Sequence, residues 1–245
     1  MKGLFKRELR LAGKKQLLLF IVFVIFVIVH VMFLLSFRFG NLSHDDFISE
    51  YAVLKSIIEK IFFAELAILM LGAGAFQVSV YEDVKNGWMQ YSYTLPGGIE
   101  RSIRAKFTGI VTYDLCALAI GSLWAIGASG LAGKSMTASD WKGMICIWFV
   151  LVALICMTTA VCYLTKDINK TILLIGIALV PFFALFAIRM SGLDNEAEVM
   201  QQMIEWKNTV GRIIRDRWYL VAAVSACLGI GSYFASVKIM KRRKR

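Results

Sequence analysis

The sequence predicts an all-α integral membrane protein of about six transmembrane helices in a single domain, and three observations lead there. The 245 residues are 58% hydrophobic with a mean hydropathy of +0.67, against roughly 45–50% apolar in soluble domains. Apolar runs near 20 residues, the length that crosses about 30 Å of hydrocarbon, recur along the chain. The charged residues collect between those runs, and the basic ones favour alternate gaps. Because lipid offers no hydrogen bonds, the backbone groups of each span must be satisfied within it, so every span is expected to be a helix. Pro96 and Pro181 are the two prolines. Without a Pro/Ser-rich linker, a low-complexity tract or an internal repeat, residues 1–245 read as one membrane domain.

The first element is basic. Residues 2–15 read KGLFKRELRLAGKK. At about 100° per residue, Leu4, Phe5, Leu9, Leu11 and Ala12 fall on one arc, and Lys2, Lys6, Arg7, Arg10 and Lys14 on the opposite one. This predicts an N-terminal interfacial amphipathic helix over 1–16, either a basic anchor that sets topology or a docking element. Glu8 falls on the apolar side, which points to a protein neighbour rather than lipid. The run at 17–37 is too long for a signal-peptide core and no small-residue cleavage site follows it, so it is expected to remain as the first span. His30 lies on this span, where an interhelical hydrogen bond and a proton relay are both open.

The second span, 61–81, leads into a long patterned loop at 82–106. Tyr81, Val84, Trp88, Tyr91 and Leu95 recur at three- and four-residue spacing, so the span is expected to continue out of the membrane with one aromatic face. Glu82, Asp83, Lys85, Asn86 and Gln90 occupy the other sides. Gly87 permits a bend, Pro96-Gly97-Gly98 breaks the helix, and Ile99, Ile103 and Phe107 restart an apolar stripe into the third span at 107–131. The predicted helix–turn–helix element mixes aromatics with charges, as a protein-binding surface does and as interfacial anchors do. Glu65 and Asp114 sit within the second and third spans. They line a polar pathway, make a structural hydrogen bond, or lie near the membrane edge.

Ala128 to Ser135 reads A-S-G-L-A-G-K-S, close to a phosphate-loop pattern. Such a loop must follow a buried strand and open a helix. Here the segment follows a membrane helix, and a turn capping the third span is expected. The remaining spans are 143–164, 171–188 and 218–237. Between the last two, an external helix over 191–217 carries Val199, Met203, Trp206, Val210 and Ile213 as a stripe, so Met203, Trp206 and Val210 form an outer gate or rest on the outer leaflet. Cys116, Cys146, Cys156, Cys162 and Cys227 all fall in spans and are expected to pack as small apolar groups. Neither they nor His30 and His44 have the spacing of a metal site.

With the N-terminus placed inside, segments 1–16, 82–106, 165–170 and 238 onward hold 18 of the 28 basic residues and five acids, while the other side holds ten of each sign. That asymmetry follows the positive-inside rule and puts both termini in the cytoplasm. Anionic lipid head groups and topology account for the formal net charge of +11, so nucleic acid is not an expected partner.

The segment Y-E-D-V-K-N-G-W-M-Q-Y-S-Y-T-L-P, Tyr81 to Pro96, followed by Arg101 and Lys106, resembles the permease subunits of bacterial type 2 ABC exporters. So does the basic N-terminal helix ahead of six spans. Within that family the arrangement looks most like the small permeases of peptide exporters, including the phenol-soluble-modulin type. The resemblance implies a multi-pass protein of the bacterial plasma membrane that moves a peptide, lipid or amphipathic toxin. It implies a separate ABC ATPase subunit that binds ATP and Mg, no cofactor on this chain, and a second permease copy or close relative. It also implies that the loop after the second span seats on the ATPase, with Glu82, Asp83, Gly87, Trp88 and Tyr91 in that coupling role.

Two other classes are weighed from the residues. An ion- or proton-coupled secondary transporter would use Glu65, Asp114 and His30 as relay groups, though six spans without repeats or a broken helix do not favour it. A membrane-embedded enzyme lacks support in the sequence, which holds no H-E-x-x-H, no G-x-S-x-G and no paired intramembrane aspartates at matched depth.

Overall fold

The computed structural model describes residues 2–39, 58, 60–94, 98–167, 169–177 and 196–243. No strand occurs among the described residues. Five helices are long and apolar enough to cross a membrane, Gly3–Ser36, Phe62–Lys85, Gly98–Leu131, Ala138–Thr165 and Asp216–Arg242, so the chain is a multi-pass α-helical membrane protein. The expected span at 171–188 is helical over 169–177, and its remainder lies outside the described residues.

The elements in order are α1 (Lys2–Phe39), α2 (Phe62–Leu71), a 3-10 turn (Gly72–Gly74), α3 (Ala75–Lys85), α4 (Trp88–Thr94), α5 (Gly98–Leu131), α6 (Ala138–Thr165) and α7 (Glu196–Arg243). Two expected boundaries dissolve and a third is kept. The interfacial helix and first span form one continuous α1, and the helix opening at Gly98 runs unbroken into the third span as α5, whereas the external helix and the last span meet within α7 at a kink, where Arg217 leaves helical geometry (φ −129°, ψ 23°). The physical reason is shared. Extending a helix adds one hydrogen bond per residue fixed, whereas a new nucleus is costly, so a helix stops only at a breaker. No proline lies between residues 2 and 39 or 98 and 131. Met203, Trp206 and Val210 stand on the helical backbone of α7, and their side chains lie outside the described residues.

The second span is built of two helices. α2 and α3 meet at Gly72-Ala73-Gly74, wound as a tighter 3-10 turn of the kind that marks a hinge or strain within a helix. Close approach explains the first glycine, since a Cβ at Gly72 would fall 2.1 Å from the Tyr113 hydroxyl of α5. This composite span runs antiparallel to α5, with Leu66 packed on Gly121 and Phe76 on Gly109. Two apolar clusters follow from that register. Phe76, Val80, Ile103, Ile110 and Met240 fill the basic end of the bundle, and Phe23, Phe62, Leu66, Met70 and Met144 fill the opposite half.

The A-S-G-L-A-G-K-S segment ends α5, as expected. Lys134 N–H bonds back to Ser129 O at 2.9 Å, and the Arg38 guanidinium donates to the carbonyls of Gly130 and Leu131. A capping box formed by Thr137 and Asp140 then opens α6. All five cysteines are free thiols, but only Cys146, Cys156 and Cys162 are buried. Cys116 and Cys227 are exposed on the outside of the bundle, which corrects the expectation that all five pack internally.

Candidate functional site

Polar side chains gather at three levels along α5, at Lys106, Asp114 and Trp124. Steps of eight and ten residues at 1.5 Å rise set these levels about 12 and 15 Å apart.

At the basic end, charges from three helices meet inside the bundle. Lys106 is 1% exposed, and an ammonium has three donors and no acceptor. All three are used, on Glu8 Oε2 of α1 (2.5 Å), Asp83 Oδ2 of α3 (2.9 Å) and Ser79 Oγ (2.5 Å). Ser79 Oγ lies 3.0 Å from Glu8 Oε2. Arg7 donates to Asp83 and to Glu8 Oε1 at 2.7 Å, and its guanidinium stacks 4.3 Å from the centroid of the Trp88 ring on α4. Two cations thus face two carboxylates. Each ion alone would cost several kcal/mol to bury, and the closed pairing offsets that cost. Glu8, read from the sequence as facing a protein neighbour, is fully buried in this network.

The coupling residues read from the sequence divide here. Asp83 is 2% exposed and bonded to Arg7 and Lys106, so its carboxylate is held by partners within the chain. Trp88 is turned inward as well, its Nε1 buried with no hydrogen-bond partner among the described residues. Glu82 makes a surface pair with Lys15 at 2.9 Å. Gly87 takes φ 69°, a left-handed conformation that glycine adopts without steric cost, and there the expected continuous aromatic helix breaks into α3 and α4. Tyr91 remains outside at 54% exposure, its ring 5.4 Å from Trp88.

In the opposite half, His30 of α1 meets Glu65 of α2. His30 Nδ1 lies 3.0 Å from both Glu65 oxygens, and Nε2 lies 2.8 Å from the Ile58 carbonyl. Trp124 Nε1 donates to Glu65 Oε2. A carbonyl only accepts, so Nε2 carries a proton. The contact between Nδ1 and Glu65 then holds one further proton, as imidazolium with carboxylate or imidazole with carboxylic acid. Either form leaves the pair with no net charge, which suits a buried site.

Asp114 stands between these two clusters and joins neither. It is fully buried, and its two carboxylate oxygens have no hydrogen-bond partner among the described residues. Trp148 Nε1 donates to its backbone carbonyl at 3.0 Å. The structure therefore brings His30 and Glu65 together and leaves Asp114 apart. Arg7, Ser79, Lys106 and Trp124 were not singled out for these contacts from sequence. Lys106 did carry a signal, since it lies on the buried stripe Ile99, Ile103, Ile110 at helical spacing.

A family model described as ABC-2 family transporter protein matches residues 47–241. No curated protein and no solved structure matches the chain.

Proposed function

Because this chain belongs to the ABC-2 family transporter proteins, we propose that it is the membrane-spanning permease of an ATP-driven exporter and that α4 seats on a separate ATPase subunit. The observation that carries this reading is the attachment of α4. Trp88 of this short helix stacks on Arg7 of α1, and Arg7 in turn is bonded to Asp83 of α3, which Lys106 of α5 also holds. A push on α4 is thereby delivered to three long helices at once. α3 continues through the 3-10 turn into α2, which carries Glu65, so movement at the basic end has a direct route to the opposite half.

In this reading Tyr91 is the contact made with the ATPase, and Trp88 transmits. ATP and Mg are bound by the partner subunit. A second copy of the permease, or a close relative, completes the pathway for a peptide, lipid or amphipathic toxin. The exposed apolar side chains of α1, among them Leu18, Ile21, Ile25 and Met32, supply a face for that copy or for lipid.

The test is co-purification with the ATPase and reconstitution in vesicles. Aromatic residues central to an interface commonly contribute about 2 kcal/mol or more, roughly 30-fold in affinity. Tyr91→Ala is expected to weaken ATPase binding on that order with an unchanged melting temperature, while Trp88→Ala lowers both binding and stability. Transport that continues without ATP, or wild-type ATPase binding by both variants, sinks the proposal. The proton shared by His30 and Glu65 favours one alternative, a proton-coupled secondary transporter. Transport driven by a pH gradient in vesicles lacking ATP would select it.

A further inference from the structure

The outer wall of the bundle holds a groove of about 630 Å³ between α5, α6 and α7, within the range of about 300–1,000 Å³ typical of ligand sites. Its walls are apolar, formed by Phe107 and Val111 of α5, Trp148 and Val152 of α6, and Ile230 and Phe234 of α7. One end is basic. Arg104 lines the groove there, beside the Tyr233 hydroxyl. Phe234 continues into an adjoining cleft of about 460 Å³ with Lys238, Lys241 and Arg242. Glu100 is the acid at this rim, bonded to Arg104 at 3.3 Å and to Lys241 at 3.2 Å. Four cationic side chains therefore face one carboxylate.

An occupant must be apolar along most of its length and negative at the basic end. A second copy of the chain is poorly matched to that pattern. Among its described residues at the same end, Glu8 and Asp83 are closed in the buried network and Glu100 belongs to the rim itself, which leaves two separate acids, Glu82 and Asp167, to meet four cations. Anionic lipid of the inner leaflet has the required charge and chain, and basic pockets between membrane helices on that side recognise such head groups.

We propose that this groove binds an anionic phospholipid, its acyl chains along Phe107, Trp148 and Phe234 and its head group on Arg104 and Lys238. The site lies apart from α4 and does not rest on the exporter reading.

Gly229 supplies the test. It lines the groove, and a Cβ there meets nothing within 4 Å, so Gly229→Leu fills the space without a clash. Gly231 also has open space around it but lies off the groove, so Gly231→Leu is the control. The protein, purified in mild detergent, is titrated with phosphatidylglycerol or phosphatidylcholine, and retained lipid is counted by native mass spectrometry. Wild type and Gly231→Leu are expected to retain phosphatidylglycerol preferentially, and Gly229→Leu to lose it. Arg104→Gln with Lys238→Gln should lower the preference for phosphatidylglycerol by about tenfold. Equal retention by wild type and Gly229→Leu overturns the proposal. So does a dimer that Gly229→Leu dissociates, which would make a second copy the occupant.

Discussion

The two buried polar clusters differ in what holds their charge. At the basic end, the Arg7 guanidinium is always protonated, and Lys106, Glu8 and Asp83 close around it in a set of fixed ions. In the opposite half, His30 Nδ1 faces both Glu65 oxygens at 3.0 Å, and the pair has no net charge whichever of the two holds the proton between them. The first cluster thus needs every member charged, whereas the second tolerates neutral groups of the right shape. A fixed-ion hub suits a rigid joint between α1, α3, α4 and α5, and a proton-sharing pair suits a contact that adapts while helices move.

The strongest way to break this comparison is to remove one ion from the hub. Lys106→Met leaves two buried carboxylates with one cation, and losing one partner of a buried pair typically costs about 3–5 kcal/mol. A large fall in the melting temperature in detergent is expected, with partial recovery when Glu8→Gln is added, because Arg7 and Asp83 then balance. An unchanged melting temperature for Lys106→Met would show that the hub does not hold the bundle.

A matched pair of amide substitutions sharpens the contrast. Glu65→Gln can donate its NH2 to His30 Nδ1 and accept from Trp124, so its expected cost is below about 1 kcal/mol, whereas Glu65→Leu strands both partners and costs about 1–3 kcal/mol. Asp83→Asn, the same chemical change at the hub, leaves a buried excess of positive charge and is expected to approach the Lys106→Met penalty. Equal melting temperatures for Asp83→Asn and Glu65→Gln would erase the distinction. Gly87→Ala comes next, where a Cβ at φ 69° costs about 1–2 kcal/mol. Its expected signature is a modest fall in stability with the hub intact.

How legible these features were depends on the range of the interaction. Hydropathy is local, so the helical class and five of the six expected spans could be read from runs of residues, and the glycine bend at Gly87 and the turn at Gly133 followed from local chemistry. The hub left two traces, Glu8 on an apolar arc and Lys106 on an apolar stripe, each an ion out of place. Their pairing joins positions 98 residues apart, and no local period carries that. Helix continuity was misread because an amphipathic start and an apolar span look different in composition, yet the backbone meets no breaker between them. Trp88 lies beside Tyr91, as their spacing implies, but local spacing carries no sign that the left-handed Gly87 turns α4 so that the indole also meets Arg7.

The smallest effect is expected at the surface pair of Lys15 and Glu82, and it tests what the hub does not do. Their side chains are 43% and 37% exposed, respectively, and water and salt screen such a pair to about 0–1 kcal/mol. Lys15→Ala with Glu82→Ala should therefore leave the melting temperature nearly unchanged, and less affected still at high salt. Asp83, one residue further on, cannot exchange partners without exposing buried cations, but Glu82 can leave Lys15 at little cost. If an ATPase approaches this end with basic groups, Glu82 is the acid free to answer it. Glu82→Ala is then expected to lower ATPase stimulation in reconstituted vesicles while Lys15→Ala leaves it unchanged or raises it, since removing the competing lysine frees the carboxylate. Equal stimulation in wild type and Glu82→Ala would assign the contact to Tyr91 and its neighbours on α4 alone.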